Sequence, residues 1–282
     1  MQIIKLNGNK KLFKIKNLII GHFNVIHKGH LQLFCNTSNL SFLIFENNPS
    51  KKYQLYSLEE RIKNLAFYKP DYIFIFDIAK DNCTASDFLN KFMIHFLKAQ
   101  MVHVGSDFKF GNDLKTVSLL KQYYKVNVIE KNKNISTKKI VEYLENGEIE
   151  VANELMDRNF YYEGTVVENK KMAAKLFFPT ANIYDNKKIF LKEGSYISQT
   201  FFRNKLHKSI TFIGKPKSIN DSKRFVETYI FDFYDNIYNE IIQVELLKFI
   251  RENQKFDNMD ELIKMINNDL KIAKNFFKIG DK

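Results

Sequence analysis

The hydrophobic period of this chain changes once, near residues 158–164, and that change limits what it can fold into. From Asn17 to about Ile129, short apolar runs alternate with longer amphipathic ones. The runs Leu18-Ile19-Ile20, Ser41 to Phe45, Tyr72 to Phe76, Met101 to Val104 and Val126 to Ile129 are bounded by polar, Gly or Pro residues, the pattern of short strands buried on both faces. Between them, His30 to Thr37, Leu58 to Phe67, Ser86 to Lys98 and Leu114 to Tyr124 read as helices. In the third, Ser86 is the expected N-cap, and Phe88, Leu89, Phe92 and Phe96 recur at helical spacing. Strand alternating with helix implies right-handed βαβ units and an open parallel sheet, whose ligands sit beyond the carboxyl ends of the strands. Two short helices follow, around Lys138 to Glu145 and Val151 to Met156. From Gly164 onward the apolar residues alternate with period two, over Thr165 to Glu168, Tyr196 to Arg203, Lys208 to Phe212, Phe225 to Asp232 and Ile241 to Lys248. Turn residues such as Gly194 and Asp235-Asn236 punctuate them, which predicts an antiparallel barrel or sandwich. The tail, Met259 to Phe277, returns to helical period. The expected domains are therefore 1–157 and 158–282.

Composition removes several classes. At 45% hydrophobic and 27% charged residues, the chain is neither disordered nor fibrous. No apolar stretch reaches the ~18 residues of a spanning helix, and Met1 to Lys16 lacks the apolar core and cleavage site of a signal peptide. Cys35 and Cys83 are the two cysteines; they support neither a disulfide framework nor a zinc cluster, and a reducing, cytoplasmic setting is expected. The net charge of +12 reads in two ways: attraction to phosphate-bearing partners, or compositional drift in a Lys-, Asn-, Ile- and Phe-rich chain. The positive charges are scattered, with no block of five or more, which argues against a nucleic-acid-binding protein without catalysis.

Two segments carry chemistry. In Gly21-His22-Phe23-Asn24-Val25-Ile26-His27-Lys28-Gly29-His30, Gly21 ends the first strand and permits a tight turn. His27 and His30 lie three apart at the opening of a helix, where backbone N–H groups favour an anion and two imidazoles add donors to a phosphate. Gly29 would let the phosphate approach the backbone. The plainer reading is two surface histidines. In Gly105-Ser106-Asp107-Phe108-Lys109-Phe110-Gly111, at the carboxyl end of another strand, Phe108 and Phe110 can stack on a planar ring while Asp107 accepts a hydrogen bond. The plainer reading here is a buried loop with two core phenylalanines.

These residues resemble the bacterial bifunctional riboflavin kinase/FMN adenylyltransferase (FAD synthetase) family. The family's G-x-F-D-x-x-H-x-G-H is similar to Gly21 to His30, with Asn24 in place of the aspartate, and its G-x-D-F-x-F-G is matched by Gly105 to Gly111. A leucine-rich helix with Glu60-Arg61, then Ser86-Asp87-Phe88, stand between them in the family's order. In the second half F-P-T-A-N is matched by Phe178 to Asn182, followed by Gly194-Ser195-Tyr196, Ile213-Gly214, Val226-Glu227, Ile250-Arg251 and Phe256-Asp257. The departures are Val141 where S-S-T-x-I-R has its arginine, the altered Ile213-Gly214-Lys215-Pro216-Lys217, and Ala173, Ala174 and Phe177 in the phosphate loop.

The resemblance implies an N-terminal Rossmann-like nucleotidyltransferase sheet and a C-terminal antiparallel riboflavin kinase barrel with a terminal helix. It implies phosphorylation of riboflavin by ATP to FMN, then adenylylation of FMN by ATP to FAD and pyrophosphate. His27, His30 and Glu227 would be catalytic. Gly21, Phe23, Asn24, Gly29, Ser136, Thr137, Thr180 and Asn182 would bind ATP. Asp107, Phe108, Phe110 and Arg251 would bind flavin, and Thr180 and Asn182 would hold Mg²⁺. An adenylyltransferase with a degenerate kinase half is the alternative. The expected partners are riboflavin, FMN and ATP, without nucleic acid or membrane.

Overall fold

The computed structural model describes residues 1–7, 11–34, 37–49, 54–130, 132–168, 180–185, 187, 189, 191–215, 224–254 and 258–279. The chain divides into two compact units, Met1–Lys138 and Lys139–Lys282.

The first unit is built on β1 (Gln2–Lys5), β2 (Ile15–Gly21), β3 (Leu40–Glu46), β4 (Tyr72–Asp77), β5 (Ala99–Gly105) and β8 (Lys125–Ile129), with a small hairpin of β6 (Lys109–Phe110) and β7 (Lys115–Thr116). The six larger strands pair in parallel in the order β1-β4-β3-β2-β5-β8. Consecutive apolar residues go to opposite sides. Leu18, Ile20, Leu43 and Phe74 join one core, while Ile19, Phe42, Ile44, Ile73 and Ile75 join the other. A sheet covered on both faces needs such two-sided runs.

The helices depart from the sequence reading in instructive places. The helix expected over His30 to Thr37 is a single turn, α1 (Lys28–Leu31); a run this short gains little from propagation after nucleation. Next, α2 (Leu58–Ala66) opens with a reciprocal cap. Glu60 N donates to Ser57 Oγ at 3.2 Å and Ser57 N donates to Glu60 Oε2 at 2.7 Å. The N-cap of α3 (Ala85–Phe88) is Thr84 rather than Ser86: the Thr84 hydroxyl accepts from Asp87 N at 3.1 Å. The helix continues as a π-helical segment over Leu89–Leu97. Of the helix expected over Leu114 to Tyr124, only α4 (Val117–Leu120) forms, because Lys115 and Thr116 pair with Phe110 and Lys109 instead. Strand β1 carries only two apolar residues and joins the edge beside β4.

Helix α5 (Thr137–Asn146) runs across the division, followed by α6 (Ile149–Leu155). The second unit is a barrel of β9 (Tyr161–Thr165), β10 (Thr180–Tyr184), β11 (Gly194–Phe202), β12 (Lys205–Gly214), β13 (Phe225–Ile230) and β14 (Ile241–Glu252), antiparallel in the order β10-β13-β12-β11-β14-β9. The first strand ends at Thr165 instead of Glu168, but Val167 beyond it bridges to Asn182 on β10, so the two edges nearly close on each other. Five buried hydroxyls form a hydrogen-bonded chain across three strands. Thr200 donates to Ser209 at 2.9 Å, and Ser209–Ser198, Ser198–Thr211 and Thr211–Thr228 follow at 2.7, 2.8 and 2.9 Å. Outside the barrel, α7 (Met259–Phe277) lays Leu270, Ala273 and Phe277 on Ile197, Ile210 and Phe231. Among the described residues no helix is long and apolar enough to cross a membrane.

Candidate active sites

The strand order of the first unit reverses between β2 and β5: the chain leaves β2 toward β3 and β4, then returns to place β5 and β8 on the other side. Such a switch opens a crevice at the carboxyl ends of the strands. A cavity of about 690 Å³ lies there, reached by residues of the loop after β2, by Phe45 of β3 and Asn48 beyond it, by Gly105 and Asp107 to Lys109 at the end of β5, and by Glu130, Asn132 and Ile135 to Lys138 after β8. It brings together Gly21, Phe23, Asn24, His27, Gly29, His30, Asp107, Phe108, Ser136 and Thr137. Phe110, read as a flavin contact, does not line it. It is buried, its ring nearly parallel to that of Phe108 at 5.6 Å and edge-on to Phe88 at 6.1 Å, so it braces Phe108.

His27 and His30 stack face to face, ring centroids 3.8 Å apart and 18° from parallel. His27 N donates to His30 Nδ1 at 3.4 Å. Because α1 is one turn, its dipole is weak, and the imidazoles rather than the helix axis carry the anion-binding capacity. Gly21 is required for a different reason from the one its position suggested. A Cβ there would sit 2.8 Å from the Phe23 ring, and it is Phe23 that adopts the left-handed backbone, at φ 48°. The Phe23 ring is buried edge-on against Phe34 and Phe42 and reaches His30 at 5.2 Å. Asn24 is 4% exposed, and its Oδ1 accepts from Leu55 N at 2.9 Å. At this position an amide thus anchors the loop while its residue lines the cavity. Gly111 closes the second motif at φ 73°, and a Cβ there would meet Ala85 N at 2.2 Å. Asp113 Oδ1 accepts from that same Ala85 N at 2.8 Å, tying the loop after β5 to the start of α3.

In the barrel the register does the assembling. Asn182 on β10 faces Glu227 on β13, which faces Phe212 on β12, which faces Ser195 on β11, which faces Arg251 on β14. Directly opposed residues of antiparallel strands share a face, so these five form one row. Thr180 stands one step along the same face, opposite Tyr229. Burial pushes the Glu227 carboxyl above the usual carboxylate range. Asn182 is 3% exposed; its Nδ2 donates to Thr180 O at 3.1 Å, and its Oδ1 has no hydrogen-bond partner among the described residues. A buried amide oxygen left open beside a hydroxyl is a hard-oxygen pair, the donor type Mg²⁺ takes. Arg251 lies on this face but is engaged: its Nε donates to Asp269 Oδ1 and Oδ2 at 2.9 and 3.0 Å, and its Nη2 lies 2.7 Å from Oδ2. Ser195 Oγ donates to the same carboxylate at 2.9 Å. In place of an open flavin contact, the structure has a clip between β14 and α7. Asp269 was not singled out in the sequence; its period-matched position in α7 gave it the look of a helix surface residue. Phe178, Pro179, the phosphate-loop residues Ala173, Ala174 and Phe177, Pro216-Lys217, Cys35 and Phe256-Asp257 lie outside the described residues. Val141, where an arginine was expected, is fully buried in α5, while Lys138 lines the first cavity.

Comparison with known proteins agrees with this division. A family model described as FAD synthetase matches residues 11–143, and one described as riboflavin kinase matches residues 156–277. The chain is 38% identical over its whole length to the trifunctional protein RibF/MnmA of Mycoplasmoides gallisepticum, of which it spans 43%. It is 31% identical to the bifunctional riboflavin kinase/FMN adenylyltransferase of Buchnera aphidicola subsp. Schizaphis graminum, covering 99% of this chain and 100% of that one. Among solved structures, a crystal structure described as a macrolide-efflux protein from Streptococcus pneumoniae superposes with a TM-score of 0.84 at 24% identity, covering 97% of this chain and 98% of that one, a likeness of fold alone. The chain belongs to the bifunctional riboflavin kinase/FMN adenylyltransferase family.

Proposed function

We propose that this chain makes FAD in two transfers, with riboflavin phosphorylation in residues 158–282 and FMN adenylylation in residues 1–157. The observation that carries the reading is the convergence of His27, His30, Asp107, Phe108, Ser136 and Thr137, from three separate stretches, on one cavity at the sheet's switch point.

In the first unit an FMN phosphate oxygen attacks the α-phosphorus of ATP; the bond from that phosphorus to the β-phosphate oxygen breaks, and pyrophosphate leaves. Phosphoryl-type transfer needs alignment and charge neutralisation more than covalent help. The stacked His27 and His30 donate to oxygens on which charge accumulates. Gly29 keeps the wall low, since a Cβ there would meet the His27 ring at 3.2 Å. Phe108, braced by Phe110, offers a face to the isoalloxazine ring, and Asp107 accepts a hydrogen bond from the flavin. Ser136 and Thr137 take the phosphates from the start of α5.

In the barrel, the ribityl hydroxyl attacks the γ-phosphorus of ATP; the bond from that phosphorus to the oxygen it shares with the β-phosphate breaks, and ADP leaves. Glu227 takes the hydroxyl proton, and a carboxyl raised by burial is a better base near neutral pH. Thr180 Oγ1 and Asn182 Oδ1 would hold a Mg²⁺, which supplies charge neutralisation on the transferring phosphates when bound. Arg251 supports this face through Asp269. The reading keeps the chain away from nucleic acid and assigns it small-molecule partners in the cytoplasm.

The test is incubation of purified protein with riboflavin, ATP and Mg²⁺, with the flavins separated by chromatography. FMN and then FAD are expected. FAD formed only when FMN is supplied would remove the kinase assignment, and no FAD from FMN and ATP would remove the adenylyltransferase one.

A further inference from the structure

Among the described residues of the first unit Arg61 is the most deeply buried cation, 3% exposed, and the transfer described above does not use it. Its Nη2 donates to two backbone carbonyls, His22 O just beyond β2 and Phe45 O near the end of β3 at 3.0 Å. Both residues line the cavity. Its Nε has no hydrogen-bond partner, and no carboxylate lies within ion-pair distance of it among the described residues. Burial lowers its pKa to about 10, with only the more distant Glu46 pulling it back up. Even so the group keeps its charge at neutral pH. A cation buried with neutral partners costs folding free energy that an apolar residue would not. Helix α2 therefore carries a charge whose benefit lies elsewhere.

Resting on the adenylyl-transfer reading, we propose that Arg61 is a positioning residue for the ATP phosphates. Carbonyl oxygens at the carboxyl ends of parallel strands would face an anion with their negative ends. The Arg61 fork turns two of them toward itself and holds the chain at His22, five residues before His27. It also places a positive charge directly behind the wall on which the phosphates rest. In a poorly screened interior such a charge acts on an anion across several ångströms. Among the described residues no hydrogen bond or ion pair joins Arg61 to Asp107 or Phe108 after β5, the proposed flavin side, so Arg61 acts on ATP and not on FMN.

The test compares Arg61→Met, which keeps most of the volume, with Arg61→Lys, which keeps the charge but loses the fork. Steady-state FAD formation from FMN gives KM for each substrate, calorimetry with a non-hydrolysable ATP analogue gives Kd, and a thermal melt reports folding. Arg61→Met is expected to raise KM for ATP and the analogue Kd tenfold or more while KM for FMN stays within twofold. Arg61→Lys is expected to recover at least threefold of that loss. Unchanged ATP parameters in a folded Arg61→Met protein overturn the proposal. Equal losses for both substrates that track a lowered melting temperature overturn it too, in favour of a structural role. Should the Met variant not fold, the Lys variant decides alone: a selective rise in ATP KM supports the proposal and none overturns it. Wild-type protein that binds the analogue but makes no FAD counts against the adenylyl-transfer reading, leaving the calorimetric comparison to judge Arg61.

Discussion

The two units build their sites by opposite means. In the first, the functional side chains stand on loops at the carboxyl ends of β2, β5 and β8, and backbone constraints aim them: the left-handed Phe23, the positive φ of Gly111, the Asn24 anchor to Leu55. In the second they stand on the strands, and aim is a matter of register, with Asn182, Glu227, Phe212, Ser195 and Arg251 in one row. A loop-built site is vulnerable to single changes at glycines and caps. A strand-built site is insensitive to those but depends on pairing along the whole ladder.

The comparison breaks first at the groups proposed as catalytic. Glu227→Gln should lower riboflavin phosphorylation by about 10²–10⁴-fold while FAD formation from supplied FMN continues; parallel assays check it. The wild-type riboflavin phosphorylation should fall on the acid side at a higher pH than an ordinary carboxylate would give, because burial raises Glu227. Replacing His27 or His30 by Ala should cost the adenylyl step about 10²–10³-fold and leave FMN formation intact. A weaker effect is expected at the loop support. Gly111→Ala forces a side chain into the left-handed region, at about 1–2 kcal/mol, and against the Ala85 backbone. It should raise KM for FMN several-fold and lower the melting temperature of the first unit only, whereas small changes on the barrel's loops should spare Glu227's position.

The smallest effect sharpens the contrast from the sheet itself. His103 on β5 is 4% exposed between Asn17 Oδ1 at 3.0 Å and Asn127 Nδ2 at 3.1 Å, and burial lowers its pKa. A histidine held neutral in the folded state contributes fully above its unfolded pKa of about 6.5 and loses that contribution as pH falls. Melting of the first unit should therefore decline slightly from pH 7.5 to 5.5, and His103→Gln should flatten the decline.

What the amino-acid sequence made legible follows the range of the forces involved. The parallel sheet was readable because Leu18-Ile19-Ile20 and Phe42-Leu43-Ile44 must each serve two cores, a local signature. The barrel was readable from its period-two strands. Helix α1 was overread, since Leu33 and Phe34, beyond its last residue Leu31, pack from turns. Thr84 rather than Ser86 caps α3 because Asp113 and Gly111, distant in sequence, hold the backbone at Ala85. His27, His30, Asp107 and Phe108 were singled out from their places after strands, and they line the cavity. Phe110 lies one layer behind the cavity lining, and the pairing of Arg251 with Asp269, on another element, was not legible in the sequence alone.

The hydroxyl chain within the barrel carries a consequence for how such a chain can drift over generations. Each of Thr200, Ser209, Ser198, Thr211 and Thr228 owns a single proton, so the direction in which one hydroxyl points constrains its neighbour. Losing one member alone strands an oxygen in a dry interior. Replacements there are tolerated in matched sets or not at all, and relatives should differ at these five positions together.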